Sequence, residues 1–184
     1  ALARAGAPGS GGDVMNKVME FDYAAITAEQ DRLNLLRALT LALTRGGKPE
    51  PEIRLRVLRW LDDIYPAASA RENRDLTALL ASLESPSLVP KAMTLLETST
   101  SQEEQITYAM NLRFIKEGWN PPLRLHYFQW RARSENYNGG PRFRGYLSDI
   151  RRDAIASIPA GERTAELKKW FRAPGEKGPA QFSS

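Results

Sequence analysis

Signals for the start of a helix recur at a nearly constant interval along this chain. They stand near residues 13, 51, 88 and 121, which gives intervals of 38, 37 and 33 residues, and each opens a pair of apolar helical stripes. Pro51 and Pro121 suit a first helical turn, and Asn120 is a favourable N-cap. Such intervals are typical of solenoids, whose helix pairs bury their apolar faces against neighbouring pairs. The spacing therefore predicts an all-α solenoid of about four helix pairs.

The same patterns predict the domain organisation. No segment alternates apolar and polar residues for long, so no sheet is expected. Residues 1–172 should form one helical-repeat domain, and residues 173–184, which include glycines and prolines, should form a linker. The opening ALARAG is similar to the end of a helix, so we expect a fragment of a longer protein. The apolar runs are too short for a membrane span.

Composition removes several kinds of chemistry. The chain of 184 residues has no cysteine and one histidine, His126, so thiolate metal sites, covalent haem attachment and histidine clusters are excluded. The adjacent acids Glu103 and Glu104 suit a helix start better than catalysis, because Ser101 and Glu104 have the spacing of a capping box. No catalytic, cofactor-binding or metal-binding residue is predicted. An enzyme that uses aspartate or glutamate in a groove of the helical array remains a third hypothesis.

Positive charge gathers in the second half of the chain. The first 120 residues carry 14 Lys+Arg and 16 Asp+Glu, whereas residues 121–172 carry 11 and 5. Arginines interleaved with aromatic residues can follow a nucleic-acid backbone and stack on bases. They can equally be the solvated side of amphipathic helices. The candidate partner-binding residues are Arg124, Arg131, Arg133, Arg142, Arg144, Arg151 and Arg152.

Two adjacent glycines, Gly139 and Gly140, precede a predicted helix. Free N–H groups at such a helix start could bind phosphate. The alternative is that the glycines supply positive φ angles in a tight turn between helices, which we favour because the phosphate-loop pattern is otherwise missing.

Residues 101–158 contain a dense pattern of amide, acidic, aromatic and glycine residues. A Gln-Glu-Glu-Gln helix with a tyrosine comes first, then Gly-Trp, then Tyr-Phe-x-Trp, and then Gly-Gly-x-x-Phe before an Ile-Arg-x-x-Ala helix. The residues of the pattern up to its last phenylalanine are Gln102, Glu103, Glu104, Gln105, Tyr108, Gly118, Trp119, Tyr127, Phe128, Trp130, Gly139, Gly140 and Phe143. It ends at Ile150, Arg151 and Ala154.

This combined pattern resembles the helical-repeat region of large multidomain proteins of planctomycetes and verrucomicrobia, described as haem-binding or membrane-bound dehydrogenase-like. The resemblance extends over residues 1–158. It implies a HEAT-like array between a propeller-type dehydrogenase-like module and a C-terminal cytochrome c module. Pro141 departs from the resemblance, since the family has a small or polar residue there.

The resemblance implies a role as a non-catalytic scaffold or protein–protein interaction module in an exported, periplasmic or secreted protein. Its partners would be neighbouring domains of the same parent or another protein. Haem is expected only in a neighbouring module, and any oxidoreductase activity would belong to the parent. The alternative is a solenoid that binds nucleic acid or another polyanion through its arginine-rich face, although a protein partner is favoured over nucleic acid.

Overall fold

The computed structural model describes residues 10–171, and over that range the chain is helical without any strand. The all-α prediction is therefore confirmed. The helices are α1 Ser10–Met19, α2 Glu29–Gly46, α3 Pro51–Ile64, α4 Ala70–Ser82, α5 Leu88–Thr98, α6 Gln102–Leu112, α7 Pro121–Arg133, α8 Phe143–Ser157 and α9 Ala165–Lys168. Short 3₁₀ turns cover Tyr23–Ala25, Ser134–Asn136 and Ala160–Glu162. The predicted linker and the opening ALARAG lie outside the described residues.

Most of the predicted helix starts agree with the structure. Helices α3, α5 and α7 begin at residues 51, 88 and 121, and α1 begins three residues before the predicted position. The Asn120 side chain accepts a hydrogen bond from the backbone N–H of Leu123 at 2.9 Å. Ser101 accepts one from the N–H of Glu104 at 3.4 Å. Side-chain caps thus mark the starts of α7 and α6, whereas α3 begins at Pro51 without a side-chain cap bond.

The described part of the chain holds no helix that is both long and apolar enough to cross a membrane. The longest helix, α2, has 18 residues and includes charged positions along its length.

The chain divides into two compact units, and the division falls within α5. In the first unit, residues 1–91, α2 packs against both α1 and α4, and α1 packs against α3. Leucines fill its core, because they recur on one side of each helix. Those with no exposed surface are Leu36, Leu39, Leu61, Leu76, Leu80 and Leu88.

The second unit, residues 92–184, has an aromatic core. Helix α6 packs against α8, and α7 packs against α9. Its largest buried side chains are Tyr108, Tyr127, Phe128 and Trp130, each with at most 2% of its surface exposed. Large rings of this kind dominate the free energy of packing wherever they are buried.

Candidate functional site

The Gln-Glu-Glu-Gln sequence forms the first turn of α6, and its side chains bond to nearby structure. Gln102 donates to the carbonyl of Asn138 at 2.8 Å and accepts from the N–H of the same residue at 3.3 Å. Glu103 accepts from the Ser101 hydroxyl at 2.8 Å. Glu104 accepts from the Ser99 hydroxyl at 2.8 Å, so it does not complete the predicted capping box by bonding to Ser101. Glu103 and Glu104 thus bond to the connection before α6, and Gln102 bonds to the connection between α7 and α8.

Gln105 lies at the centre of a hydrogen-bonded cluster. Its side-chain oxygen accepts from the Trp130 indole at 2.8 Å and from the Tyr137 hydroxyl. Its amide nitrogen donates to the carbonyl of Ser99 at 2.5 Å. One amide thereby satisfies a buried indole and a phenol and joins α6 to α7 and to the segment after it. We call Gln105, Trp130 and Tyr137 the amide cluster.

The other aromatic residues of the pattern are also engaged in packing. Tyr127 donates to the carbonyl of Ala109 at 2.9 Å, and burial raises the pKa of its phenol. Trp119 packs edge-on against Tyr127, with ring centroids 5.5 Å apart, and donates to the carbonyl of Ile115 at 2.9 Å. Gly118 precedes it with a φ of 78°, a left-handed conformation that glycine adopts without strain.

The Gly139-Gly140 pair was predicted to supply positive φ angles, and the structure gives a different reason for Gly139. Neither residue has a positive φ, so the expectation of left-handed backbone was wrong. A Cβ added at Gly139 would lie 2.1 Å from Cγ of Phe143, whereas one added at Gly140 would meet no atom within 4 Å. Glycine is therefore required at 139 by the close approach of a ring. Pro141 lies in the turn before α8.

Two of the seven candidate arginines are buried. Arg124 is 3% exposed, bonds to Glu162 at 2.6 Å and places its guanidinium 5.1 Å from the ring centre of Trp119. Arg131 is also 3% exposed and donates to the carbonyl of Leu147 at 3.1 Å. Burial lowers the pKa of Arg131, and Glu135, 3.2 Å away, compensates part of the cost. These two arginines support α7 from inside and are not part of an accessible surface.

Two further arginines lie on α8. Arg151 is half-buried, and its Nη1 atom has no hydrogen-bond partner within residues 10–171. Arg152 is exposed and bonds to both Asp149 and Asp153, which raise its pKa. The charge of Arg152 is consequently balanced on its own helix.

The three remaining arginines, Arg133, Arg142 and Arg144, are exposed. The structure gives them no ion pair with any other residue in the range 10–171. They occur within residues 133–144, at the end of α7 and the start of α8. The accessible positive charge is thus confined to a smaller set than the sequence suggested.

The lone histidine has an ordinary surface environment. His126 is exposed, and its Nδ1 lies 2.9 Å from a carboxylate oxygen of Glu97. Among residues 10–171 no group of three or more histidine, cysteine, aspartate or glutamate residues is arranged to hold a metal ion.

A charged cluster in the first unit is the main feature that sequence reasoning missed. Glu72, 2% exposed, lies in the first turn of α4. Arg32 on α2 donates to one of its oxygens from Nε at 3.0 Å and from Nη2 at 2.8 Å, and Tyr23 donates to the other at 2.7 Å. Local sequence gives no reason to choose this pair over the neighbouring charges Asp31 and Arg71. We call Glu72, Arg32 and Tyr23 the ionic cluster.

The ionic cluster shifts the titration of its members. Burial alone would raise the pKa of Glu72, but hydrogen bonds from Arg32 and Tyr23 and the charge of Arg32 outweigh burial and hold that pKa below its ordinary value. Burial, and then the bond to Glu72, raise the pKa of the Tyr23 phenol. Glu72 is therefore a charged, structurally committed carboxylate.

A cavity of about 680 Å³ opens beside the ionic cluster. The end of α1, the 3₁₀ turn, α3 and the start of α4 enclose it, and aromatic and acidic side chains line it. Smaller cavities of about 360 and 240 Å³ lie near residues 40–49 and 78–83 and near α9. Of these three cavities the first has the greatest volume, and its size and mixed apolar and charged lining are typical of small-ligand sites.

Comparison with protein-family models, with curated proteins and with solved structures gives no match for this chain. The candidate sites are therefore interpreted from their own geometry.

Proposed function

We propose that this chain is a non-catalytic, HEAT-like helical-repeat module that serves as a scaffold or interaction module. Hydrogen bonds that join a side chain to a residue one repeat away carry the proposal. In the first unit they join residues 40 apart, and in the second unit residues 36 to 40 apart. The pairs are Asn16–Arg56, Glu29–Ser69, Arg32–Glu72, Gln102–Asn138, Arg113–Asp153 and Arg124–Glu162.

Hydrogen bonds at this regular separation are expected when equivalent positions of successive helix pairs lie side by side. The packing of α1 with α3, α2 with α4, α6 with α8 and α7 with α9 supports the same proposal, since in each of these four pairs a helix contacts the helix two places along. The separations agree with the spacing of the helix starts. Together they favour repeated helix pairs within each unit, and the spacing of the helix starts predicts about four pairs along the chain.

The residues of the family-like pattern support the scaffold role in particular. Gln102, Gln105, Tyr127 and Trp130 all bond or pack within the unit, so the pattern encodes support for helices and their connections. A pattern devoted to support is what a spacer between other modules requires. We propose that the parent is an exported multidomain protein of the haem-binding or dehydrogenase-like kind, with any haem held by another module.

Hydrogen exchange tests the repeat organisation. In an array whose repeats contact only their neighbours, a destabilising change lowers protection in its own pair and in the next pair more than in distant ones. We expect Trp130→Ala to reduce protection in α6, α7 and α8 while α1 and α2 keep theirs. Equal loss across all helices would show a single cooperative core and would contradict the array.

Sequencing the gene on both sides of the coding segment tests the proposed parent. We expect an export signal upstream and a Cys-x-x-Cys-His sequence downstream. Flanks without either feature would remove the redox and export parts of the proposal and leave the repeat module in place.

A polyanion-binding module is the second candidate, and the three exposed arginines without an ion pair favour it. Its test is the binding of a short DNA duplex at about 50 mM salt, with Arg133→Gln, Arg142→Gln and Arg144→Gln combined as the variant. Binding that weakens steeply with salt and is lost in the variant would support this function. Undetectable or salt-insensitive binding would eliminate it.

A further inference from the structure

The cavity beside the ionic cluster combines three aromatic side chains with several acidic ones. Phe21, Tyr23 and Trp60 line it, together with Met19, Ile26 and Ile64. Its volume of about 680 Å³ lies within the range of small-ligand sites. The cavity therefore has room for a group much larger than a water molecule.

Two of the aromatic rings stand at right angles to each other. The ring centroids of Tyr23 and Trp60 are 5.8 Å apart, and the ring planes meet at 85°. The hydroxyl of Tyr23 is held by Glu72, which fixes the position of that ring. Phe21 is 54% exposed, a high value for a phenylalanine, and so it is available to a ligand. Both rings of this edge-to-face pair line the cavity, and aromatic ring faces carry the partial negative charge that attracts an organic cation.

The lining of the cavity is mainly acidic, a charge that favours a cation. Its acidic residues are Glu20, Asp22, Asp63 and Glu72, and its basic residue is Arg32. Arg32 is occupied, because it bonds to Glu72 and also donates to the carbonyls of Ile26 and Thr27.

The remaining acids differ in how far they are already engaged. Glu20 accepts from Lys17 at 2.9 Å, and one oxygen of Asp22 accepts from the N–H of Ala24 at 3.1 Å. Asp63 is exposed and has no bonding partner within residues 10–171. A cation entering the cavity would thus meet carboxylates with spare capacity, whereas an anion would meet a guanidinium that is already paired.

We propose that this cavity binds an organic cation, an alkylammonium or guanidinium group, against the rings of Tyr23, Trp60 and Phe21 and beside the carboxylate of Asp63. The cation can come from a free quaternary amine or from a lysine or arginine side chain of a protein partner. This assignment goes beyond the scaffold role and does not depend on the nature of the parent protein.

The test is an NMR titration of the full chain, observed at the indole N–H of Trp60 and assigned with Trp60→Phe. The probes are choline, its neutral isostere 3,3-dimethyl-1-butanol, and the blocked amino acids N-acetyl-lysine methylamide and N-acetyl-arginine methylamide. We expect saturable shifts with the cations and binding at least about tenfold weaker for the neutral isostere. Tighter binding of choline points to a free amine, and tighter binding of a blocked amino acid points to a protein side chain.

Two variants on α3 test whether cation binding depends on the acid in the cavity or on any acid of that helix. Asp63→Asn should weaken cation binding several-fold while leaving the fold unchanged, because the side chain is exposed. Glu52→Gln, an exposed acid on the same helix but outside the cavity, should leave binding unchanged. The proposal is overturned if no cation gives a saturable shift at about 10 mM, if the neutral isostere binds equally well, or if Asp63→Asn and Glu52→Gln have the same effect.

Discussion

In each of the two units, one side-chain acceptor receives hydrogen bonds from distant residues, but the acceptor is charged in the first unit and neutral in the second. In the first unit, the carboxylate of Glu72 accepts hydrogen bonds from Arg32 and Tyr23. In the second, the amide oxygen of Gln105 accepts from Trp130 and Tyr137. In each case one acceptor joins residues from different helices or their connections. The ionic cluster and the amide cluster are thus counterparts.

The difference between them lies in charge. Burying the Glu72 carboxylate costs desolvation free energy that the bonds from Arg32 and Tyr23 must offset. The Gln105 amide carries no charge and also donates to the carbonyl of Ser99, so both of its ends are satisfied. The ionic cluster should therefore respond to pH and to the loss of a single partner, while the amide cluster should depend mainly on packing.

The largest effect should come from the amide cluster. Trp130 is 1% exposed, so Trp130→Ala should lower the free energy of unfolding by about 3–5 kcal/mol through the cavity it leaves. Urea unfolding measures the change. The control is Trp170→Ala, since Trp170 is 36% exposed and should cost far less. Equal costs for both variants would show that Trp130 is not a core anchor.

The second-largest loss of stability should come from a change in the ionic cluster. Glu72→Gln keeps the size of the side chain but removes its charge, and we expect a loss of about 1.5–3 kcal/mol, the range for hydrogen bonds to charged groups. Urea unfolding at neutral pH gives the value. Glu20→Gln is the matched control, because Glu20 forms an exposed pair with Lys17 and such pairs contribute little. A loss no greater than that of the control would place the ionic cluster among ordinary surface pairs.

The pH dependence should separate the two clusters. The folded-state pKa of Glu72 lies below its ordinary value of 4.5, so the native state binds fewer protons than the unfolded state as the pH falls. The stability difference between wild type and Glu72→Gln should be constant above about pH 5 and should shrink as the pH falls through the folded-state pKa.

The comparison variant is Gln105→Met, whose difference from wild type should stay level over the same range. Denaturant midpoints between about pH 3.5 and pH 7 give both curves. A level curve for Glu72→Gln would mean that its carboxylate is not held in the charged form by folding.

The smallest effect should come from the margin of the amide cluster. Gln102→Ala removes two hydrogen bonds to the backbone of Asn138 in an exposed setting, so we expect a loss of about 1 kcal/mol. Hydrogen exchange should show faster exchange in residues 134–142 while α7 itself stays protected. Uniform acceleration across the second unit would make Gln102 a global anchor instead.

Local signals in the chain predicted the helices well. Asn120 and Ser101 accept hydrogen bonds from backbone N–H groups of the first helical turn, and Pro51 and Pro121 fit that turn because proline has a fixed φ and no N–H to satisfy. These effects act over a few residues, so the sequence alone reveals them. The burial of Trp130 also followed from helical spacing. The reason for glycine at 139 could not be predicted in this way. It depends on how the turn places the ring of Phe143 against Gly139, where that ring leaves no room for a Cβ.

The sequence by itself determined that the chain is helical, where most of the helices begin, and which aromatic residues lie in a core. Each of these depends on neighbours within a turn or two. Only the tertiary structure decided that Arg124 and Arg131 are buried while Arg133 is exposed, that Arg32 meets Glu72, and that aromatic rings surround a cavity. Those outcomes depend on contacts between different helices and their connections, and a side chain that is charged in sequence gives no sign of the partner that will neutralise it.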